Sequence, residues 1–94
     1  MTHKKPKEMK ILKVIWKDSC NSHLNWTLSN ELEQDDLSPI QIVSLGILIR
    51  DCSDYIVLAQ NYGFKPEQMC SLMTIPRGCI KEIQELGELE KSNI

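Results

Sequence analysis

Three apolar runs, IQIVSLGILIR, DYIVLAQNY and MCSLMTIP, crowd into residues 41–86 with only short polar connections between them. No other stretch of the chain could supply a core, so these runs limit what it can fold into. The first is too dense in β-branched residues for a comfortable helix, and Val43, Leu45, Ile47 and Ile49 share one face at period two. Its other face, with Ile42, Ser44, Gly46, Leu48 and Arg50, is mixed in the way of a half-covered sheet surface. The Val43 face is accordingly the expected core face. Asp51, Cys52, Ser53 and Asp54 then break the pattern, and Tyr55-Ile56-Val57-Leu58-Ala59-Gln60 follows at once. Four connecting residues are far too few for a parallel crossover, so the two runs pair as an antiparallel hairpin. Gly46 inside the first run predicts a bend or bulge.

Outside these runs the order is less regular. Residues 10–16, Lys-Ile-Leu-Lys-Val-Ile-Trp, alternate as a first strand with Leu12, Val14 and Trp16 inward, and their lysines would shield an exposed edge. Residues 18–39 lose periodicity and form a long first loop, with Ser29 placed to cap a short helix over residues 30–34 and with Trp26, Leu28 and Leu32 tethering it to the sheet. Residues 61–67 carry the Gly and Pro of a loop. Met69 to Ile75 alternate as a further strand that Pro76 must end. Residues 80–86 fit either a helix or a closing strand. The strand is preferred, because an open apolar sheet would otherwise lie bare.

The 94 residues suffice for one domain with a modest core, burying about 60–65% of the unfolded surface, too small for a large cleft enzyme. Net charge is −2, but residues 1–17 hold six lysines against Glu8, and residues 18–94 hold twelve acids against five basic side chains. The expected layout is a basic flexible arm over residues 1–9, a folded domain over 10–86 and an acidic flexible tail over 87–94. No apolar segment follows the polar start, and no run reaches the ~18 apolar residues of a membrane span. A soluble cytoplasmic protein with no membrane partner is expected, in which Cys20, Cys52, Cys70 and Cys79 are reduced thiols and small buried or turn residues.

The segments Ser44-Leu45-Gly46-Ile47-Leu48-Ile49, Asp54-Tyr55-Ile56-Val57-Leu58-Ala59 and Met73-Thr74-Ile75-Pro76-Arg77, with Ile80, resemble a group of small proteins of phages, prophages and other mobile elements. Ile75-Pro76-Arg77-Gly78-Cys79-Ile80 also looks like the Ile-Arg-Gly signature of Sm-like proteins, interrupted here by Pro76. The resemblance implies a mainly β fold: a small five-stranded antiparallel SH3-like or Sm-like barrel, with a helical turn between its fourth and fifth strands. In SH3-like barrels aromatics on loops line the groove that takes a peptide or a base. By that likeness Trp26, Tyr62 and Phe64 form the expected binding surface.

Cys20 and His23 stand at a Cys-x-x-His spacing that gives two zinc ligands only if two more arrive from elsewhere, and no second close pair exists. Neither a catalytic motif nor a phosphate loop is present, so no cofactor and no reaction are expected. What is left is a non-catalytic interaction module that binds a protein partner and associates with itself to cover sheet edges. The alternative is a nucleic-acid or nucleotide-binding barrel that uses Lys4, Lys5, Lys7 and Arg77 against phosphate.

Overall fold

The computed structural model describes residues 8–19, 21, 24–34 and 36–90. Its five strands are β1 (Glu8–Asp18), β2 (Ile40–Asp51), β3 (Tyr55–Phe64), β4 (Glu67–Pro76) and β5 (Ile80–Glu90). All pair antiparallel in one sheet of order β4-β3-β2-β1-β5. Residues 80–86 are therefore strand, the choice made because an open apolar sheet would otherwise lie bare. A 3-10 turn, Arg77–Cys79, carries the chain from β4 into β5.

The core is one cluster built from alternate positions. Leu12, Val14 and Trp16 from β1, Ile56 and Leu58 from β3 and Ile75 from β4 are buried together, with Ile42, Leu48, Cys79 and Ile80 packed against them. Three of these side chains, Ile56, Ile75 and Val14, lose essentially all contact with solvent. Each such burial is worth about 1.5–3 kcal/mol. The indole of Trp16 reaches this interior without stranding its polar atom, because Nε1–H donates to Ser44 Oγ at 3.0 Å. Ser44 in turn donates to Met73 Sδ at 3.5 Å, so side chains from β1, β2 and β4 meet across the curl of the sheet.

Several expectations are corrected here. The sheet is not closed into a barrel: β4 and β5 are its two edges and share no ladder. The inner face of β2 is the one with Ile42 and Leu48, while Val43 and Leu45 of the supposed core face are each 56% exposed. β1 is not an edge. It lies between β2 and β5, and its Lys10 Nζ stands 3.8 Å from Glu85 across the strand pair. Residues 61–67 are not a loop, since β3 runs through Phe64, turns at a cis Lys65–Pro66 peptide and returns as β4. Gly87 and its neighbours to Glu90 are strand as well, paired with the start of β1, where Met9 is buried. The short helix is a 3-10 stretch, Ser29–Gln34, that buries nothing, and Trp26 and Leu28 stand in solvent instead of tethering it.

Gly46 is a place of close approach and not the bulge. A Cβ there would lie 3.0 Å from both the Ala59 carbonyl oxygen and Leu58 Cβ. The irregularity falls three residues later, where the β2–β3 register skips Ile49 between Leu48 and Arg50. The outcome is an elongated molecule, 60 × 27 × 22 Å with a radius of gyration of 18.0 Å. A compact chain of this length would measure about 12 Å.

Candidate functional site

β2 is paired along residues 40–47 to β1, but to β3 only along residues 47–51. β3, beyond Ala59, pairs only with β4, through Asn61↔Cys70 to Phe64↔Glu67. The sheet therefore splits. On one side runs the first half of β2, with an edge that no strand among the described residues occupies; on the other stands the β3–β4 hairpin. An extended strand left unpaired on one side presents a row of N–H and C=O groups ready to take up another strand.

The cleft between them is lined by Val43, Ser44 and Leu45 from β2, by Leu58 and Gln60 from β3 and by Ser71, Leu72 and Met73 from β4. No charged side chain lines it. Val43, Leu45, Leu72 and Met73 keep 56, 56, 54 and 38% of their surface in contact with solvent. That is unusual for a chain with so few buried apolar residues, and apolar surface gathered in this way marks a place of contact. The wall is bent at Ser71, whose φ of 58° is the one positive value on a non-glycine residue among the described residues. Gln60 and Ser71 fall where the β3–β4 register passes from Ala59↔Leu72 to Asn61↔Cys70. Strain of this kind costs about 1–3 kcal/mol where the side chain is not glycine.

The residues expected to bind do not gather here. Tyr62 and Phe64 do come together, with ring centroids 5.0 Å apart and tilted by 52°, but on the far half of the hairpin, where the Tyr62 hydroxyl donates to Glu67. Trp26 is fully exposed in the loop between β1 and β2, and among the described residues it makes no ring contact with that pair. Arg77 is a clamp. Its Nε–H donates to the Cys52 carbonyl at 3.0 Å, its guanidinium pairs with Asp51, and its backbone N–H donates to the Asp54 carbonyl at 2.9 Å. Lys4, Lys5, Lys7, Cys20 and His23 lie outside the described residues.

Of the other thiols, Cys52 and Cys79 are half-buried as small apolar fillers would be, whereas Cys70 is exposed on β4. Among the described residues no three His, Cys, Asp or Glu side chains gather to hold a metal ion, and no helix is long and apolar enough to cross a membrane. A second hollow lies between Leu12, Leu48, Ile56 and Ile83, rimmed by Lys10, Asp51, Arg77 and Glu85. Its rim charges are already committed to each other, Lys10 to Glu85 and Arg77 to Asp51. No family model, curated protein or solved structure matches the chain.

Sequence reasoning missed the cleft, although its signal was visible. The period-two stripe through Val43 and Leu45 is the strongest in the chain. Its apolar character was assigned to a core because burial is the commoner fate of such a stripe.

Proposed function

We propose that the protein is a non-catalytic recognition module that takes an extended apolar segment of a partner protein into the cleft between β2 and the β3–β4 hairpin. The observation that carries this reading is the unoccupied edge of β2 over residues 40–46, flanked by the exposed side chains of Val43, Leu45, Leu72 and Met73. Strand addition uses those two features together: main-chain hydrogen bonds give affinity, and alternate side chains in apolar hollows give selectivity. An uncharged lining favours a segment that brings apolar residues at every second position.

The fold is read in the same terms as an open relative of the SH3-like and Sm-like barrels. Five antiparallel strands with the fifth beside the first, and a single 3-10 turn between the fourth and the fifth, support that reading. The sheet, irregular where β2 skips Ile49, does not bring β4 to β5. Nucleic-acid binding is the weaker alternative, since the charge of Arg77 is already paired with Asp51 and its Nε–H with the Cys52 carbonyl.

Selection from a displayed random-peptide library tests the proposal. Enriched peptides should alternate apolar residues, and Leu45→Lys together with Leu72→Lys should abolish their binding while leaving the circular dichroism spectrum of the sheet intact. Peptides that bind this double variant as well as the original protein would contradict it.

A further inference from the structure

The two edges of the sheet differ in a way that selects a partner for one of them. β5 carries Glu82, Glu85, Glu88 and Glu90 against Lys81 alone, and its register against β1 shifts twice, once between Ile11 and Leu12 and once between Ile15 and Trp16. Acidic side chains and bulges are the devices by which edge strands refuse further pairing. β4 has neither along its inner half. Between Gln68 and Pro76 it reads Met-Cys-Ser-Leu-Met-Thr-Ile, with no charged residue, and Leu72, Met73 and Thr74 are exposed. Ser71 takes a left-handed φ of 58°, but the ladder to β3 continues past it in one register, and residues 72–75 form the edge nearest the core. That run is held rigid from behind by Ile56↔Ile75 and Leu58↔Met73, both resting on the core.

We infer that this β4 edge pairs with the β4 edge of a second copy, antiparallel about a two-fold axis, joining two sheets into one of ten strands. Charge decides between the possible arrangements. Two β5 edges would oppose glutamates to glutamates, and a β4 edge laid on β5 would meet a bulged, acidic strand. Two β4 edges meet without charge on either side, and an isologous contact closes on itself as a dimer. The contact uses the outer edge of β4, whereas the peptide-binding reading uses the free edge of β2, and Leu72 and Met73 belong to both surfaces.

Light scattering on the eluting full-length chain, with substitutions at the exposed Thr74, tests it. The unaltered protein should elute as a dimer. With the two-fold axis at Thr74, so that Thr74 faces Thr74 and Met73 faces Ile75 of the other copy, Thr74→Lys and Thr74→Glu should each elute as a monomer, because either charge then faces its own copy, and an equimolar mixture of the two should re-form a dimer by opposite-charge pairing. Head-to-tail contact of β4 with the acidic β5 would behave otherwise: Thr74→Lys would strengthen association and Thr74→Glu would weaken it. That pattern overturns the inference, as does an unaltered protein that stays monomeric at millimolar concentration. Neither outcome touches peptide binding, which Leu45→Lys on β2 alone reports separately, Leu72 being part of the β4 run itself.

Discussion

Ser44 shows how much one small polar residue settles in a domain with so little interior. It accepts the Trp16 N–H and donates to Met73, so removing its hydroxyl leaves the indole donor without its partner. Ser44→Ala should therefore lower stability by about 1–2 kcal/mol, read from urea denaturation monitored by Trp fluorescence. Gly46→Ala should cost roughly 1–3 kcal/mol, since its new methyl group meets the fixed Ala59 carbonyl and not a flexible side chain. Ser71→Gly should act the other way and stabilise by about 1 kcal/mol, by relieving a left-handed backbone that serine tolerates poorly. Asp36 offers a pH test. The Ser38 hydroxyl and then the Ser38 backbone N–H donate to its carboxylate and hold its pKa below the ordinary 3.8. A depressed folded-state pKa stabilises this loop at pH values above the ordinary one, and that support is lost as pH falls through the lowered value. A carboxyl 13C titration should place the Asp36 midpoint below 3.8, and Ser38→Ala should move it back up. Of these residue-level features, only Gly46 was legible in the sequence as a special position. The serine contacts were not, because they join residues 28 and 29 positions apart whose meeting depends on the curl of the whole sheet.

At the scale of elements, the strands declared themselves wherever alternation was strong. β1 was expected with its inward face right, and the β2–β3 hairpin followed from a connection too short for anything else. The failures have a common cause. Gly63 and Pro66 read as a loop, yet β3 and β4 continue through them as a ladder of their own. Likewise Gly87 and the surrounding glutamates read as a tail, yet they pair with the start of β1. Local composition weighs against strand in both places, and only partner strands override it. Because, among the described residues, β3 beyond Ala59 forms its ladder with β4 alone, the outer hairpin should open without unfolding the domain. Amides of residues 61–64 and 67–70 should exchange at much lower opening free energy than those of β1, as read by native-state hydrogen exchange. Equal protection in both would show a further layer packed on the hairpin. Ile56→Ala, by contrast, removes the centre of the cluster and should cost about 2–5 kcal/mol.

The whole molecule is organised by what it leaves uncovered. A single curled sheet has one face for a core; its other face and its edges must be polar, blocked or used. β5 is blocked by glutamates, whereas the outer face of β2 and the edge of β4 are neither polar nor blocked. Reading the strongest apolar stripe as core fails here because each strand of a single curled sheet has one covered face, and in β2 that face is the one with Ile42 and Leu48. The most direct measurement of the central claim is therefore the stability of Val43→Asp combined with Leu45→Asp. Both side chains stand in solvent, so the urea midpoint should stay close to that of the unaltered protein, a change within about 1 kcal/mol. A loss of several kcal/mol, of the size expected for charges forced into a packed interior, would show that this face is covered within the chain itself and would contradict the account.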